Sequence, residues 1–296
     1  MPRVSVVIPT WERARSLGRA LDSVLSQTNA DFEVIVIDDG STGDAAQRAA
    51  MERADPRVRY LKLPVNRGVS AARNAGVAAA IGTYVAFLDD DDEWLPEKLQ
   101  HQLAVMERAD ASVCAVYTAR FTVDVKTGRI TTVRSRRVFR PADGNTITTS
   151  SIMIKRECLT RAGLFDEELE AGEDYDMWIR LGERFRFEYI DIPLLKYYVH
   201  PDSISSNHRK KRLACERLLK KHGALFAHDR RDLAREYATL GSIWYHEGNL
   251  REAVRTYLTA VRVDPLNIHT YSGAIRAFLR PRTLGLVLRR RVGCAS

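Results

Sequence analysis

In Tyr84-Val85-Ala86-Phe87-Leu88-Asp89-Asp90-Asp91-Asp92-Glu93-Trp94-Leu95-Pro96-Glu97-Lys98, a short apolar run stops abruptly at four consecutive carboxylates. Like charges crowded at a strand end are costly unless a cation neutralises them. Mg²⁺ is typically held by one or two carboxylates together with substrate phosphates, and Mn²⁺ suits the same oxygen ligands. The segment therefore reads either as a divalent-metal site or as a solvated acidic loop capping the helix that starts near Pro96. Within it, Asp92 is expected to face that helix start.

Upstream, strand-like and helix-like patterns alternate. Val4 to Ile8 reads as a buried strand closed by Pro9 and Thr10, and Arg13 to Gln27 sets Leu17, Ala20, Leu21, Val24 and Leu25 on one helical face. A strand over Phe32 to Ile37 ends in Asp38-Asp39-Gly40-Ser41. A helix over Asp44 to Arg53, a strand over Val58 to Leu63 and an Ala-rich helix over Ser70 to Ile81 lead to the strand Tyr84 to Leu88. This alternation implies parallel strands with helices on both faces, and ligands then bind beyond the carboxyl ends of the strands. Polar residues gather at those ends: Thr10-Trp11-Glu12, Asp38-Asp39 and Asp89 to Asp92.

The stretch from Ser112 to His200 is less regular. Val113 to Tyr117, Arg120 to Val125 and Thr148 to Lys155 read as strands, Cys158 to Leu164 as a short helix, and Glu167 to Asp176 leads into a helix carrying Trp178. Beyond Asn207 the pattern is all helical. Residues 234–267 follow the 34-residue tetratricopeptide pattern, with Tyr237, Leu240, Gly241, Trp244, Ala253, Tyr257, Ala260 and Pro265 at signature positions. A single repeat of this kind cannot bury its own face, so it is expected to pack on neighbouring helices, on the first domain or on another subunit.

The 296 residues, 45% apolar and 28% charged, suit one large domain and a smaller one. The net charge of +8 is uneven: from Asn207 onward 19 Lys and Arg face 7 Asp and Glu, which leaves the remainder mildly acidic. Domain boundaries are accordingly expected at 1–206, with halves 1–110 and 111–206, and at 207–296. Cys114, Cys158, Cys215 and Cys294 are widely spaced and form neither a zinc pattern nor a disulfide framework. The N-terminus has no signal-peptide pattern, and no run approaches the ~20 apolar residues of a membrane span. A cytoplasmic protein is expected.

The order of motifs resembles glycosyltransferase family 2, the inverting transferases of GT-A fold. The matching segments are Val4 to Thr10, Gln27-Thr28, Phe32 to Ser41, Asn66-Arg67-Gly68-Val69-Ser70-Ala71-Ala72-Arg73-Asn74-Ala75-Gly76 and Gly82 to Pro96, and the resemblance extends over residues 3–205. It implies a doubly wound mixed α/β sheet flanked by helices, followed here by a small all-α segment. It also implies that Pro9, Thr10, Trp11, Glu12 and Asp39 hold the base and ribose of a nucleotide-sugar, and that Asp89-Asp90-Asp91 is the Asp-x-Asp motif. In that motif Asp89 and Asp90 stand on the donor side and Asp91 is the direct ligand of Mn²⁺ or Mg²⁺.

By the same resemblance Arg73 supports the diphosphate or the aspartates, or forms a structural salt bridge. Glu173-Asp174 matches the acceptor-side pair, with Asp174 the general base or the N-cap of the following helix. Trp178, like Trp94, stacks on a sugar or fills the core. His200 is a second metal ligand, a diphosphate contact or structural. Two departures stand out: Tyr198 replaces an expected Arg, and Glu12 follows the aromatic Trp11 where Asn is commoner.

The implied activity is transfer of a sugar from a nucleoside-diphosphate donor, a UDP-sugar by resemblance, to a hydroxyl of a glycan or lipid-linked acceptor. A nucleotidyltransferase would need a Gly-rich phosphate loop that the first turn lacks. The alternative is a non-catalytic nucleotide-sugar-binding scaffold organised by the repeat. The basic clusters Arg209 to Arg212, Lys220-Lys221 and Arg289-Arg290-Arg291 carry no base-reading motif, which argues against nucleic acid. They are expected to dock weakly to an anionic cytoplasmic membrane, while the helices offer a surface for a protein partner or self-association.

Overall fold

The computed structural model describes residues 1–135, 139–140, 144–200 and 207–279, except for the side chains of 268 and 269. The chain divides into two compact units, residues 1–141 with 145–201, and essentially everything from residue 202 onward.

The first unit is built on one mixed sheet. Its strands are β1 (Val4–Thr10), β2 (Phe32–Asp38), β3 (Val58–Lys62), β4 (Tyr84–Phe87), β5 (Glu93–Trp94), β6 (Val113–Asp124), β7 (Ile130–Val133), β8 (Ile152–Lys155) and β9 (Arg186–Val199). The spatial order is β3-β2-β1-β4-β8-β6-β9-β5, with β7 beside β6. β3, β2, β1 and β4 are mutually parallel, β8 runs against β4 and β6, and β9 runs parallel to β6. Every residue of β1 and β2 is buried, as expected of parallel strands covered on both faces.

Two apolar layers cover the sheet. One face packs against α1 (Ala14–Leu25), α2 (Ala45–Met51) and α4 (Lys98–Arg108); the other packs against α3 (Val69–Ala79), α5 (Arg156–Ala162) and α6 (Glu173–Gly182). Close approach of α3 to the sheet depends on Gly76, where an added Cβ would lie 2.2 Å from Val7 Cγ1. That contact holds the α3 residue Arg73 against the carboxyl edge.

The second half departs from the expected pattern in several places, among them the unanticipated β7. β6 is one continuous strand where two were expected; register shifts around Thr118 and Ala119 produce the apparent break. The expected strand from Thr148 begins only at Ile152, because Thr149–Ser151 form a 3-10 turn. β9 was not anticipated, since its polar alternation and Pro193 read as irregular; Pro193 sits opposite Ala119 at the bulge, where a ladder donor is dispensable.

The second unit contains α7 (His208–Phe226), α8 (Arg230–His246), α9 (Leu250–Val263) and α10 (Ile268–Leu279). Side chains of Asn207, Asp229 and Asn249 cap the first three. The Tyr257 ring lies over Gly241 and Gly273, where added Cβ atoms would come within 3.0 and 2.3 Å of it. Arg212 is engaged internally, donating to Glu216 and Glu247 and lying 4.4 Å from the Trp244 ring centroid. Among the described residues no helix is long and apolar enough to cross a membrane. Arg289-Arg290-Arg291 and Pro201 to Ser205 lie outside the described residues.

Candidate active site

The parallel order of β2, β1 and β4 brings three strand ends to one edge. There the four aspartates meet different fates. Asp89 accepts from Arg73 Nη2 at 2.7 Å, and its backbone N–H donates to Ser150 Oγ at 3.1 Å. Asp90, almost fully buried, accepts from Thr10 Oγ1 at 2.6 Å and from Arg13 Nη1 at 3.2 Å. Asp91 accepts from the same Arg13 Nη1 at 2.8 Å. Asp92, 1% exposed, accepts from Ser150 Oγ at 2.6 Å and from the Tyr198 N–H at 3.1 Å. Burial, with the neighbouring carboxylates, raises the pKa of Asp90 to about 6 and lifts Asp91 and Asp92 as well.

Arg73 links this cluster to the start of α6. It is 3% exposed, and its Nη1 donates to Glu173 Oε1 at 2.7 Å. Asp174, next along, has Asn145 Nδ2 2.9 Å from both carboxylate oxygens and accepts from the Tyr175 N–H at 2.7 Å. Burial and then the Glu173 charge raise its pKa to about 6, near the range in which a carboxylate works as a general base.

At the β1 end, Trp11 is 52% exposed and Glu12 has φ +54°, outside the usual range for a residue with a side chain. The Glu12 N–H donates to Ser41 Oγ, and its carboxylate accepts from the Thr42 N–H and hydroxyl at 2.5 and 2.8 Å. Asp39 is buried and accepts from the N–H groups of Arg67 and Gly68 at 2.9 and 2.8 Å. Thr10, Trp11, Glu12 and Asp39 thus form one mouth, joined to the aspartate cluster through the contact of Thr10 with Asp90.

Residues 5–167 match the family model described as glycosyl transferase family 2. The chain belongs to glycosyl transferase family 2. A relative from Escherichia coli K12, the putative colanic acid biosynthesis glycosyl transferase WcaA, is 32% identical over 279 residues, covering 88% of this chain and 94% of its own length. A Rickettsia felis glycosyltransferase is 34% identical over 198 residues, and the chain spans only 32% of that protein's length. Among solved structures, Staphylococcus aureus TarS in complex with UDP-GlcNAc is similar with a TM-score of 0.67 at 18% identity, covering 94% of this chain and 89% of that one. The Pyrobaculum calidifontis mannosyltransferase PcManGT in complex with GDP-Man and Mn²⁺ has a TM-score of 0.58 at 19% identity, covering 100% and 81%. These structural likenesses establish the GT-A-type fold.

Within the family 2 fold, some side chains take one of the roles their sequence context left open and others stand elsewhere. Trp178 is fully buried, donates to the Ile147 carbonyl at 3.3 Å and meets Phe165 edge-on, so it offers no ring face to a sugar and belongs to the core. Trp94 is likewise buried, donating to the Ser150 carbonyl at 2.8 Å. Asp92 points not to the helix start but to Ser150 and β9. The N-cap of α6 is Gly172, in a left-handed conformation, and Asp174 lies inside the first helical turn. Pro9 is buried within β1, opposite Ile37, directly before the Thr10-Trp11-Glu12 turn. The expected salt bridge of Arg73 is present, in doubled form.

Three partners carried no signal of their own in the sequence. Arg13 sits in a helix-start context, Ser150 in a segment read as strand, and Asn145 in an irregular stretch. Each is recognised only by what it touches.

Among the described residues no three His, Cys, Asp or Glu side chains converge into a metal site. A cation completed by substrate phosphates needs fewer protein ligands. Here the residues fit: His200 Nε2 is buried with no hydrogen-bond partner, and His200 lies within electrostatic reach of Asp91. An orphaned imidazole nitrogen beside a partly buried carboxylate is a donor set that suits a divalent cation.

Proposed function

We propose that the chain is an inverting, metal-dependent glycosyltransferase that moves a sugar from a nucleoside-diphosphate donor to a hydroxyl of a glycan or lipid-linked acceptor. The single observation that carries this reading is the Arg73 bridge, which ties Asp89 of the aspartate cluster to Glu173, the residue directly before Asp174. Asp91 and His200 would hold Mn²⁺ or Mg²⁺, and such a cation supplies charge stabilisation to the departing diphosphate. Thr10, Trp11, Glu12 and Asp39 bind the nucleoside, with Pro9 shaping the turn, while Asp89 and Arg73 fix the cluster.

Asp174 accepts the proton of the acceptor hydroxyl as its oxygen bonds to the anomeric carbon. The bond from that carbon to the diphosphate oxygen breaks, and its electron pair leaves with the nucleoside diphosphate. In-line attack on the opposite face inverts the centre. Glu173, held by Arg73, lies on the acceptor side.

The nucleotide-sugars bound by TarS and PcManGT, and the Mn²⁺ with the latter, support this donor and metal class. WcaA, named for colanic acid biosynthesis, supports an acceptor in polysaccharide assembly. The proposal assigns transfer to residues 1–206 and makes 207–296 an accessory region, its repeat-like helices open to a protein partner. Exposed Arg209, Lys220 and Lys221 on α7 support weak docking to the cytoplasmic face of an anionic membrane. Turnover of a panel of radiolabelled UDP- and GDP-sugars with lipid-linked and glycan acceptors tests the reading. Tight donor binding with neither transfer nor hydrolysis would favour the non-catalytic scaffold.

A further inference from the structure

Asp89 and Asp92 each have partners of their own, while Asp90 and Asp91 share one. Arg73 answers Asp89, and Ser150 with the Tyr198 N–H answers Asp92, while a single guanidinium nitrogen, Arg13 Nη1, bridges Asp90 Oδ1 and Asp91 Oδ2. Arg73 is 4% exposed in its side chain and pinned on two sides, whereas the Arg13 side chain is 51% exposed. Arg13 is also the N-cap residue of α1, contributes no side-chain cap, and directly follows the nucleotide turn. Of the two arginines, it is the one placed to move.

From this geometry we infer that Arg13 is an exchangeable counterion. It occupies the carboxylate oxygens of Asp90 and Asp91 in the empty site, yields Asp91 to the divalent cation, and then binds the donor diphosphate. The inference rests on the proposed role of Asp91 as metal ligand. Asp91 would hold the cation with a carboxylate that already accepts from a guanidinium nitrogen at 2.8 Å, so Arg13 would have to give way. Once displaced, Arg13 remains tethered between the nucleoside mouth and the cluster, where the diphosphate must lie to reach both. Its planar fork suits phosphate oxygens, and its positive charge there opposes the charge of the leaving group. Thr10, already on Asp90, keeps that carboxylate satisfied when Arg13 departs.

The exchange predicts opposite effects of one substitution on two ligands. Mn²⁺ binding to the full-length chain is measured from the free Mn²⁺ electron-resonance signal, first without nucleotide. Arg13→Gln, which keeps a polar side chain but is shorter and uncharged, should bind Mn²⁺ about tenfold more tightly than the unsubstituted chain, because no ion pair has to be broken. With Mn²⁺ saturating, UDP or GDP, whichever the unsubstituted chain binds, should bind Arg13→Gln about tenfold more weakly. Arg13→Lys should be intermediate in both. Melting temperature without ligand checks that the variants are folded, and Asp91→Ala serves as the control.

Mn²⁺ affinity that is equal or weaker in folded Arg13→Gln, with binding still lost in Asp91→Ala, overturns the exchange and leaves the metal assignment standing. Unchanged Mn²⁺ binding in Asp91→Ala overturns the metal assignment and the exchange together. Tighter Mn²⁺ with unchanged nucleotide affinity overturns the transfer of Arg13 to the diphosphate.

Discussion

Arg73 and Glu173 stand 100 positions apart in the chain, and Nη1 of one lies 2.7 Å from Oε1 of the other. The other fork of the same guanidinium holds Asp89 at the same distance. One buried side chain therefore ties the aspartate cluster to Glu173, the residue directly before the carboxylate assigned as base.

Removing that bridge should be costly in two ways. Arg73→Ala leaves Glu173 and Asp89 uncompensated and should destabilise the first unit by roughly 3 kcal/mol, as expected when one partner of a buried pair is lost. Arg73→Lys restores charge without the fork and should recover much of the stability but little of the turnover. Urea unfolding beside initial rates separates the two; equal recovery of both would make the bridge merely structural.

Asp174→Asn should leave donor affinity nearly intact and lower transfer by ~10²–10⁴-fold, the usual contribution of a positioned base. Asp176 does not replace it, because it is fully buried and paired with Arg180 at 2.9 Å. Near-normal turnover in this variant would remove Asp174 from the mechanism.

The acidity of Asp174 sets a pH profile. The base works ionised, so transfer should fall about tenfold per unit below pH about 6 and level off above it. Stability runs the other way. A carboxyl raised from 3.8 to about 6 holds its proton more tightly in the folded state, so its contribution is present below pH 3.8 and lost as pH rises through about 6. Thermal melts at pH 7.5 should accordingly place Asp174→Asn level with or above the unsubstituted chain.

Excess chelator should abolish transfer, and Mn²⁺ or Mg²⁺ should restore it. Asp91→Ala should lose metal-dependent nucleotide binding. Asp92→Ala should instead lower the melting temperature with a smaller effect on metal affinity, since Asp92 ties Ser150 to β9. Full activity in chelator would exclude the cation from the reaction.

Cosedimentation with anionic vesicles should occur at low salt and decline as salt screens the contact. Arg212 contributes little, being engaged by Glu216 and Glu247. Equal recovery in the supernatant with anionic and neutral vesicles would remove membrane docking from the proposal.

The legible part of the fold was the part in which each strand is buried on both faces. Val4 to Thr10 and Phe32 to Asp38 announce themselves by the apolar runs Val6-Val7-Ile8 and Val34-Ile35-Val36-Ile37 at their centres, and the aspartates mark where Tyr84–Phe87 ends. β9 stayed hidden because its two faces meet different surroundings and Pro193 interrupts the apolar pattern. The site was legible wherever a motif is local. Asn145 on Asp174, or Arg13 on Asp91, joins residues 29 and 78 positions apart, and no short-range pattern encodes such a meeting.

Glu12 holds a backbone conformation that asparagine or glycine adopts more readily, at a cost of roughly 1–2 kcal/mol for other side chains. The two bonds from its carboxylate to Thr42 keep it there. The turn proposed to hold the nucleoside is thus kept in an uncommon backbone shape by one acidic side chain. Mutational tuning of donor preference at this position inherits a mechanical consequence: Glu12→Asn relaxes the backbone and frees Thr42 at once, so base selectivity and the rigidity of the mouth cannot be adjusted separately.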